Sequence, residues 1–265
     1  MIYFKKKGRD NMLSKEKIEK ALIAMGAVPP KIIYYSLTDS TNTRAKEYAR
    51  ANPDKTEPVV FIADGQTGGR GRLGRSFVSE SGAGIYISIL TYPDKSGYDA
   101  TSETARAAVM LARAIESLCD CDIKLKWVND LYLGGKKLAG ILTEGEMTSE
   151  GKIAFQVVGM GINVYKNAIS EEISSIATSL EGEVTNPPDR SDLAAHIIKN
   201  HLEKSEDIYE EYKERSCVIG KRVTVIKPTE SYEATVLDIN PDFSLKIISD
   251  GGYENLFTGE VNLRF

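Results

Sequence analysis

Histidine and cysteine are scarce in this chain, which has two histidines and three cysteines in 265 residues. Cys119 and Cys121 form an isolated CDC and Cys217 stands apart, so neither a disulfide framework nor a zinc site is expected. The default is a cytoplasmic protein with reduced thiols. His196 and His201 lie in one helical stretch without a neighbouring nucleophile and read as helix-face residues. The G-x-S-x-G signature is missing, which argues against a hydrolase. So is G-x-x-x-x-G-K-[ST], which excludes a P-loop. No apolar run approaches the roughly 20 residues of a membrane helix, and no apolar secretory segment follows Met1. Surplus positive charge is missing too: the net charge is −4 and the pI about 5.5. A general nucleic-acid binder draws its affinity from a basic surface, so that class is disfavoured. The run KKKGR, Lys5 to Arg9, reads as a solvated tail.

What is present supports one large domain, or one large and one small, since hydrophobic residues make up 42%. Residues 14–25 have the pattern of a short amphipathic helix capped by Ser14. Strands are expected at 32–36, 58–64, 82–93, 123–126, 137–146 and 153–164, with a tight turn at Gly134-Gly135. Helices are expected at 39–52, at 101–119, and as one long element at about 191–214 that presents Leu193, Ile197, Ile198, Leu202, Ile208 and Tyr212. After Cys217 short alternating segments separated by turn residues read as a small antiparallel β-barrel. The fold class is α+β: a tail and short helix (1–30), a mixed core (31–216) and a β-module (217–265).

The chemistry concentrates in three places. GGRGRLGR, residues 68–75, sets three arginines among four glycines. GRGRLG matches G-x-G-x-x-G and follows a strand, but SFVSESGAGIYISIL comes next, a turn and then a strand. A dinucleotide turn must open a helix, so that reading fails on context. Arginines this close repel one another unless an anion joins them, and the alternative is a surface loop with incidental arginines. KWVNDLYLGGKKLAGILTEGE (126–146) gathers Lys126, Trp127, Asn129, Asp130, Lys136 and Lys137. Lys124 and Lys126 share a strand face. The plainer reading is a turn-capping Asp130, a core Trp127 and solvated lysines. GMGINV (159–164) sets Asn163 after two glycines at a strand end, which alone is often only a turn.

In order along the chain, DSTN (39–42), QTGGRGRLGR (66–75), KWVND (126–130), KLAGILTE (137–144) and GMGIN (159–163) resemble the biotin protein ligase family over roughly residues 31–215. The C-terminal module fits that family as well. Lipoate ligases share the fold but do not usually carry this arginine-rich loop. The resemblance implies a largely antiparallel mixed sheet with helices, like the class II synthetase core, and an SH3-like C-terminal barrel. It also implies ATP as co-substrate with Mg2+, biotin as substrate, biotinyl-5′-AMP as intermediate, and the biotin carboxyl carrier domain of a carboxylase as acceptor.

By motif position, the resemblance assigns substrate binding to Ser40, Thr41, Asn42, Gln66, Gly69, Arg70, Gly71, Arg72, Lys137 and Gly140. Arg72 becomes the phosphate–carboxylate clamp, Lys126 the α-phosphate cation, and Lys137 the contact to the biotinyl carboxyl and adenylate. Asn129 holds phosphate or metal, Asp130 orients the acceptor amine, and Asn163 sits near the nucleotide. Phe77 stands where some members have tryptophan; stacking on adenine and simple packing both remain open. Val128 replaces the family's usual proline. Tyr86 and Ser88 share a strand face and either line the pocket or pack. Some members carry a winged helix-turn-helix, which needs three helices and a hairpin; a single helix precedes the core here, so no transcriptional role and no DNA partner are expected. Two alternatives stay open: a ligase for lipoate or another short acyl acid, and a non-enzymatic ligand-binding protein on the same scaffold. A homodimer is compatible with the sequence, and a membrane is not an expected partner.

Overall fold

In the computed structural model, which describes residues 12–93, 99–203, 207–227, 229–257 and 260–263, Ser14 opens the first helix by accepting a hydrogen bond from the Lys17 amide. The basic run at 5–9 lies outside the described residues. The chain proceeds through α1 (Lys15–Ala24), β1 (Lys31–Tyr35), α2 (Thr41–Ala51), β2 (Val59–Ala63), β3 (Gly84–Thr91), α3 (Ala100–Glu116), β4 (Lys124–Lys126), β5 (Asp130–Leu133), β6 (Lys136–Met147) and β7 (Ile153–Asn163). It continues with α4 (Leu180–Glu183), α5 (Arg190–Leu202), α6 (Tyr209–Glu214), β8 (Arg222–Ile226), β9 (Ser231–Ile239), β10 (Leu245–Ser249), β11 (Gly252–Leu256) and β12 (Glu260–Leu263).

The first seven strands form one sheet in the order β1-β2-β3-β7-β6-β5-β4. Only the β1–β2 pair is parallel, so the sheet is mixed and largely antiparallel, as expected. Strand alternation sorts its side chains onto two faces. Val60, Ile62, Ile85, Ile87 and Ile89 join the core under α1, α3 and α5. Val59, Phe61 and Leu90 point the other way and pack with Ala45 and Ala49 of α2. The second face is only partly covered, because α2 is short. The uncovered part, beyond the start of α2, is where the motif residues gather.

The five remaining strands form an antiparallel sheet in the order β11-β10-β9-β8-β12, compatible with an SH3-like module. It is bonded to the strand that carries Lys126. The Trp127 indole N–H donates to the Phe243 carbonyl at 2.8 Å, Lys126 Nζ to Asn262 Oδ1 at 3.4 Å, and the Leu125 carbonyl accepts from the Cys217 amide at 2.9 Å.

The single helix expected at 191–214 is two helices. Glu203 is extended (φ −65°, ψ 145°) and ends α5, and α6 begins at Tyr209. Long-range packing overrides the periodicity. Leu193, Ile197 and Ile198 belong to the layer of α1 and α3, whereas Tyr212 meets Phe243 edge-on at 5.4 Å and donates to the Val128 carbonyl at 3.2 Å. One straight helix cannot serve both partners.

His201 is also not an ordinary helix-face residue. It is 3% exposed, and the Arg106 guanidinium lies 3.2 Å from its Nε2. Burial, and then the Arg106 charge, push its imidazole down to about 3. His201 is therefore neutral when folded, while in the unfolded chain it protonates below about pH 6.5. Its contribution to stability is whole above that pH and is lost as pH falls toward 3, by roughly 2 kcal/mol at pH 5. Urea midpoints of the wild type and His201→Leu at pH 7.5 and 5 check this. The midpoint should drop further in the wild type than in the variant.

Candidate active site

The floor of the site is a row of small residues on the half-covered face. Register places Ser88 opposite Gly159 and Tyr86 opposite Gly161, while Gly159 faces Leu142 and Gly161 faces Gly140. The two glycines of GMGIN are thus inside β7, not in a turn after it. They leave a trough in the middle of the sheet. A Cβ at Gly161 would sit 2.7 Å from the Phe77 ring, and one at Gly159 would sit 2.1 Å from Asn42 Oδ1. Side chains from the flanks occupy that space instead.

One wall is the start of α2. Ser40, the N-cap, and Thr41 and Asn42 in the first turn are all about 5% exposed. Gln66 Oε1 takes the Thr41 amide at 2.8 Å, and Gln66 Nε2 donates to Ser79 Oγ at 3.0 Å. The Ser88 hydroxyl lies 2.7 Å from Thr41 Oγ1 and 2.6 Å from Asn42 Oδ1. Glu144 accepts from Asn42 Nδ2 at 2.8 Å and from Lys46 Nζ at 2.5 Å. Burial pushes the Glu144 carboxyl up, but hydrogen bonds from Lys46 and Asn42 outweigh this and hold it below its ordinary value.

The roof is the glycine–arginine loop. It is closed by a bridge between Arg70 and Ser76 and a 3-10 turn at Arg72–Gly74. Gly69 anchors it from beneath: a Cβ there would fall 2.4 Å from the Phe77 carbonyl. Arg70 donates to Thr43 Oγ1 at 2.8 Å, and Arg72 Nη1 to Asn129 Oδ1 at 3.3 Å.

The far wall comes from β4, β5 and β6. Leu131 pairs with Ala139 but Tyr132 pairs with Lys137, so Leu138 is an extra residue in β6. Such a bulge turns the following side chains by one position. Lys137 and Gly140, three apart, consequently meet on one face: a Cβ at Gly140 would lie 3.2 Å from Lys137 Nζ. Lys137 Nζ donates to Asp130 Oδ1 at 2.6 Å.

The resulting cleft is lined by Ser40, Thr41, Asn42, Gln66, Arg70, Gly71, Arg72, Phe77, Lys126, Asn129, Asp130, Lys137 and Gly140 among the residues expected from sequence. Gly69 and Asn163 do not line it: Gly69 supports the loop, and Asn163 Nδ2, at the end of β7, donates to the Thr178 carbonyl at 3.1 Å. Lys124 pairs with Asp122 at 2.8 Å, and Lys136 donates to the Ser174 carbonyl at 2.7 Å, so neither joins the cluster. Tyr86 packs, donating to the Glu80 carbonyl and touching Phe77 edge-on. Arg75, Ser76, Trp127 and Met160 line the cleft beyond the assigned set. Glu144 and Ser88 act just behind it; Glu144 closes the KLAGILTE motif, which was its available signal.

Charge makes the arrangement specific. Arg70, Arg72, Arg75, Lys126 and Lys137 line the cleft, where Asp130 is the one carboxylate among the described lining residues and Glu144 lies just behind, 3.9 Å from Arg70. So many cations around one cavity are mutually repulsive until anions enter, and they can bring two anionic groups together.

Comparison with known proteins agrees with this geometry. A family model described as biotin/lipoate A/B protein ligase matches residues 34–163. A biotin–[acetyl-CoA-carboxylase] ligase of Mycobacterium tuberculosis is 30% identical over 227 residues, 82% of each chain. This chain belongs to the biotin/lipoate A/B protein ligase family. Its expected class, a ligase enzyme, stands with the family. A biotin protein ligase from Aquifex aeolicus, solved in complex with biotin and ATP, superposes with a TM-score of 0.74 at 27% identity, covering 88% of this chain and 98% of that one. A bifunctional ligase/repressor of Bacillus subtilis is 28% identical over 88% of this chain and 74% of its own length. The corresponding Bacillus spizizenii protein is 35% identical over 63% of this chain but only 51% of its own length.

Proposed function

We propose that this member of the family activates biotin as biotinyl-5′-AMP and transfers it to a lysine of a biotin carboxyl carrier domain. The observation that carries the reading is the cleft itself, which brings Arg72, Lys126 and Lys137 together with the hydrogen-bonding side chains Ser40, Thr41, Asn42 and Gln66. A biotin carboxylate oxygen attacks the α-phosphorus of ATP; the bond to the β,γ unit breaks and pyrophosphate leaves. Arg72 and Lys126 hold the two anions against their repulsion, which is the largest electrostatic demand of the step. The acceptor lysine amine then attacks the acyl carbon, loses its proton, and AMP departs. Lys137, paired with Asp130, stands where the acyl carboxyl meets the adenylate, and Asp130 orients the incoming amine. The arginine loop shields the mixed anhydride from water. Phe77, half-buried over Gly161 and Gly140, offers a ring to the adenine.

Magnesium fits as an ion that arrives with ATP. Among the described residues no group of three or more acidic, histidine or cysteine side chains could form a protein cage. Mg2+ commonly keeps its waters and takes one or two protein oxygens beside substrate phosphates. Asn129 and Asp130 are the cleft residues whose oxygens would hold such an ion, and it would neutralise phosphate charge. We further infer that residues 12–30, which hold only α1, do not bind operator DNA. A cytoplasmic setting suits three free thiols and a chain in which no described helix is long and apolar enough to cross a membrane.

The test is acid-dependent exchange of pyrophosphate into ATP. Exchange with biotin, and not with lipoate or octanoate, is the expected result. Exchange with lipoate alone keeps the chemistry and moves the substrate. A folded preparation that binds biotin without exchange overturns the enzymatic reading.

A further inference from the structure

The hydrogen-bond cluster at the α2 end of the cleft has a direction. Asn42 Nδ2 faces two groups that can only accept, Glu144 Oε2 at 2.8 Å and the Leu142 carbonyl at 3.2 Å. Reversing the amide would set its oxygen against both, so Oδ1 is fixed toward Ser88 and the cleft. An amide oxygen cannot donate, so the Ser88 proton goes to Asn42 Oδ1. The 2.7 Å contact between the Ser88 and Thr41 hydroxyls then has Thr41 as donor. Thr41 has no second proton for its 3.2 Å neighbour Gln66 Oε1, and none for a ligand. Thr41 Oγ1 and Asn42 Oδ1 therefore offer lone pairs only. Gly159 keeps the space in front of Oδ1 open, since any Cβ there would occupy it.

Glu144 does not line the cleft, yet it is the nearer of the two acceptors that set this polarity. One oxygen holds Asn42, the other holds Lys46, and Arg70 of the loop lies 3.9 Å away. We propose that Glu144 is a positioning residue that presents Asn42 as a hydrogen-bond acceptor, so that this end of the cleft selects a ring bearing N–H groups. The inference rests on biotin being the substrate. A cyclic urea carries two N–H donors for these lone pairs, whereas a dithiolane carries none and leaves Thr41 Oγ1 with no donor and Asn42 Oδ1 with Ser88 alone, which is the costlier case.

Calorimetric titration of the full chain with biotin, and with its two cyclic carbamate analogues, tests this. In each analogue one ring N–H is replaced by oxygen, at nearly constant shape. The wild type should lose about 10-fold or more in affinity for at least one carbamate. Glu144→Leu should bind biotin about 10-fold more weakly and discriminate that carbamate by no more than about 2-fold. Glu144→Gln should keep the discrimination, because its carbonyl still accepts from Asn42. A purely structural role would instead weaken all three ligands in proportion, and that result overturns the proposal. So does equal wild-type affinity for biotin and both carbamates, which remains decisive if Glu144→Leu does not fold. A wild type that binds lipoate but not biotin removes the substrate reading itself.

Discussion

Replacing Arg72 by alanine should slow formation of the acyl-adenylate by about 10²–10³-fold while leaving the fold intact, and Lys126→Ala should do the same. Both side chains line the cleft, Arg72 from the loop and Lys126 from β4. Arg72 reaches Asn129 at 3.3 Å, and Lys126 reaches Asn262 of the C-terminal sheet at 3.4 Å. Each acts on charge that develops as carboxylate meets phosphate, so the loss falls on the chemical step. Single-turnover formation of biotinyl-AMP reads it directly. A useful control is Arg50→Ala, which removes an exposed ion pair with Glu146 at 2.8 Å and should leave the rate unchanged. Unchanged rates in both Arg72→Ala and Lys126→Ala would remove the assignment of the two cations to the adenylation step.

The second large effect belongs to a residue with no side chain. Gly159→Ala should destabilise the protein by about 2–4 kcal/mol and abolish measurable biotin binding, combining overpacking with broken buried hydrogen bonds. The added Cβ would lie 2.1 Å from Asn42 Oδ1, and the amide cannot retreat without leaving Ser88, Glu144 and the Leu142 carbonyl. Gly151→Ala provides the contrast. It has φ of +75° but nothing within 4 Å of a new Cβ, so its cost of about 1 kcal/mol is confined to the backbone and biotin affinity should not move. Urea midpoints and biotin titrations of the two variants separate the terms. Equal behaviour of both would show that the Gly159 floor carries no binding function.

Much of the site was legible because its parts are local. DSTN reads as a helix start, GGRGRLGR as an anion-binding loop, and KWVND as a strand end with a cation. Each is a short-range statement about caps, glycines and charge. The pairing of Lys137 with Asp130 was less legible. It needs the extra residue at Leu138, which shifts the register of β6 by one and brings Lys137 beside Gly140. Simple alternation would send those two side chains to opposite faces. Asn163 shows the reverse limit. It closes a motif whose glycines form the floor, but at the end of β7 its own amide is held by the Thr178 carbonyl.

By itself, the sequence determined the α+β order of elements, the β-rich C-terminal module, the Gly134-Gly135 hairpin and the ordered motifs that mark the family. Those properties rest on periodicity, turn chemistry and residue type, which act over a few neighbours. Only the tertiary structure decided that the predicted long helix divides before Tyr209, that His201 is buried against Arg106, and that Lys124 and Lys136 stand outside the cation cluster. It alone also decided which way the Asn42 amide points. The physical reason is shared: packing faces, burial and hydrogen-bond direction are set by partners far away in the chain. Glu144 and Asn42, 102 positions apart, meet only when β6 is laid across the sheet beneath α2.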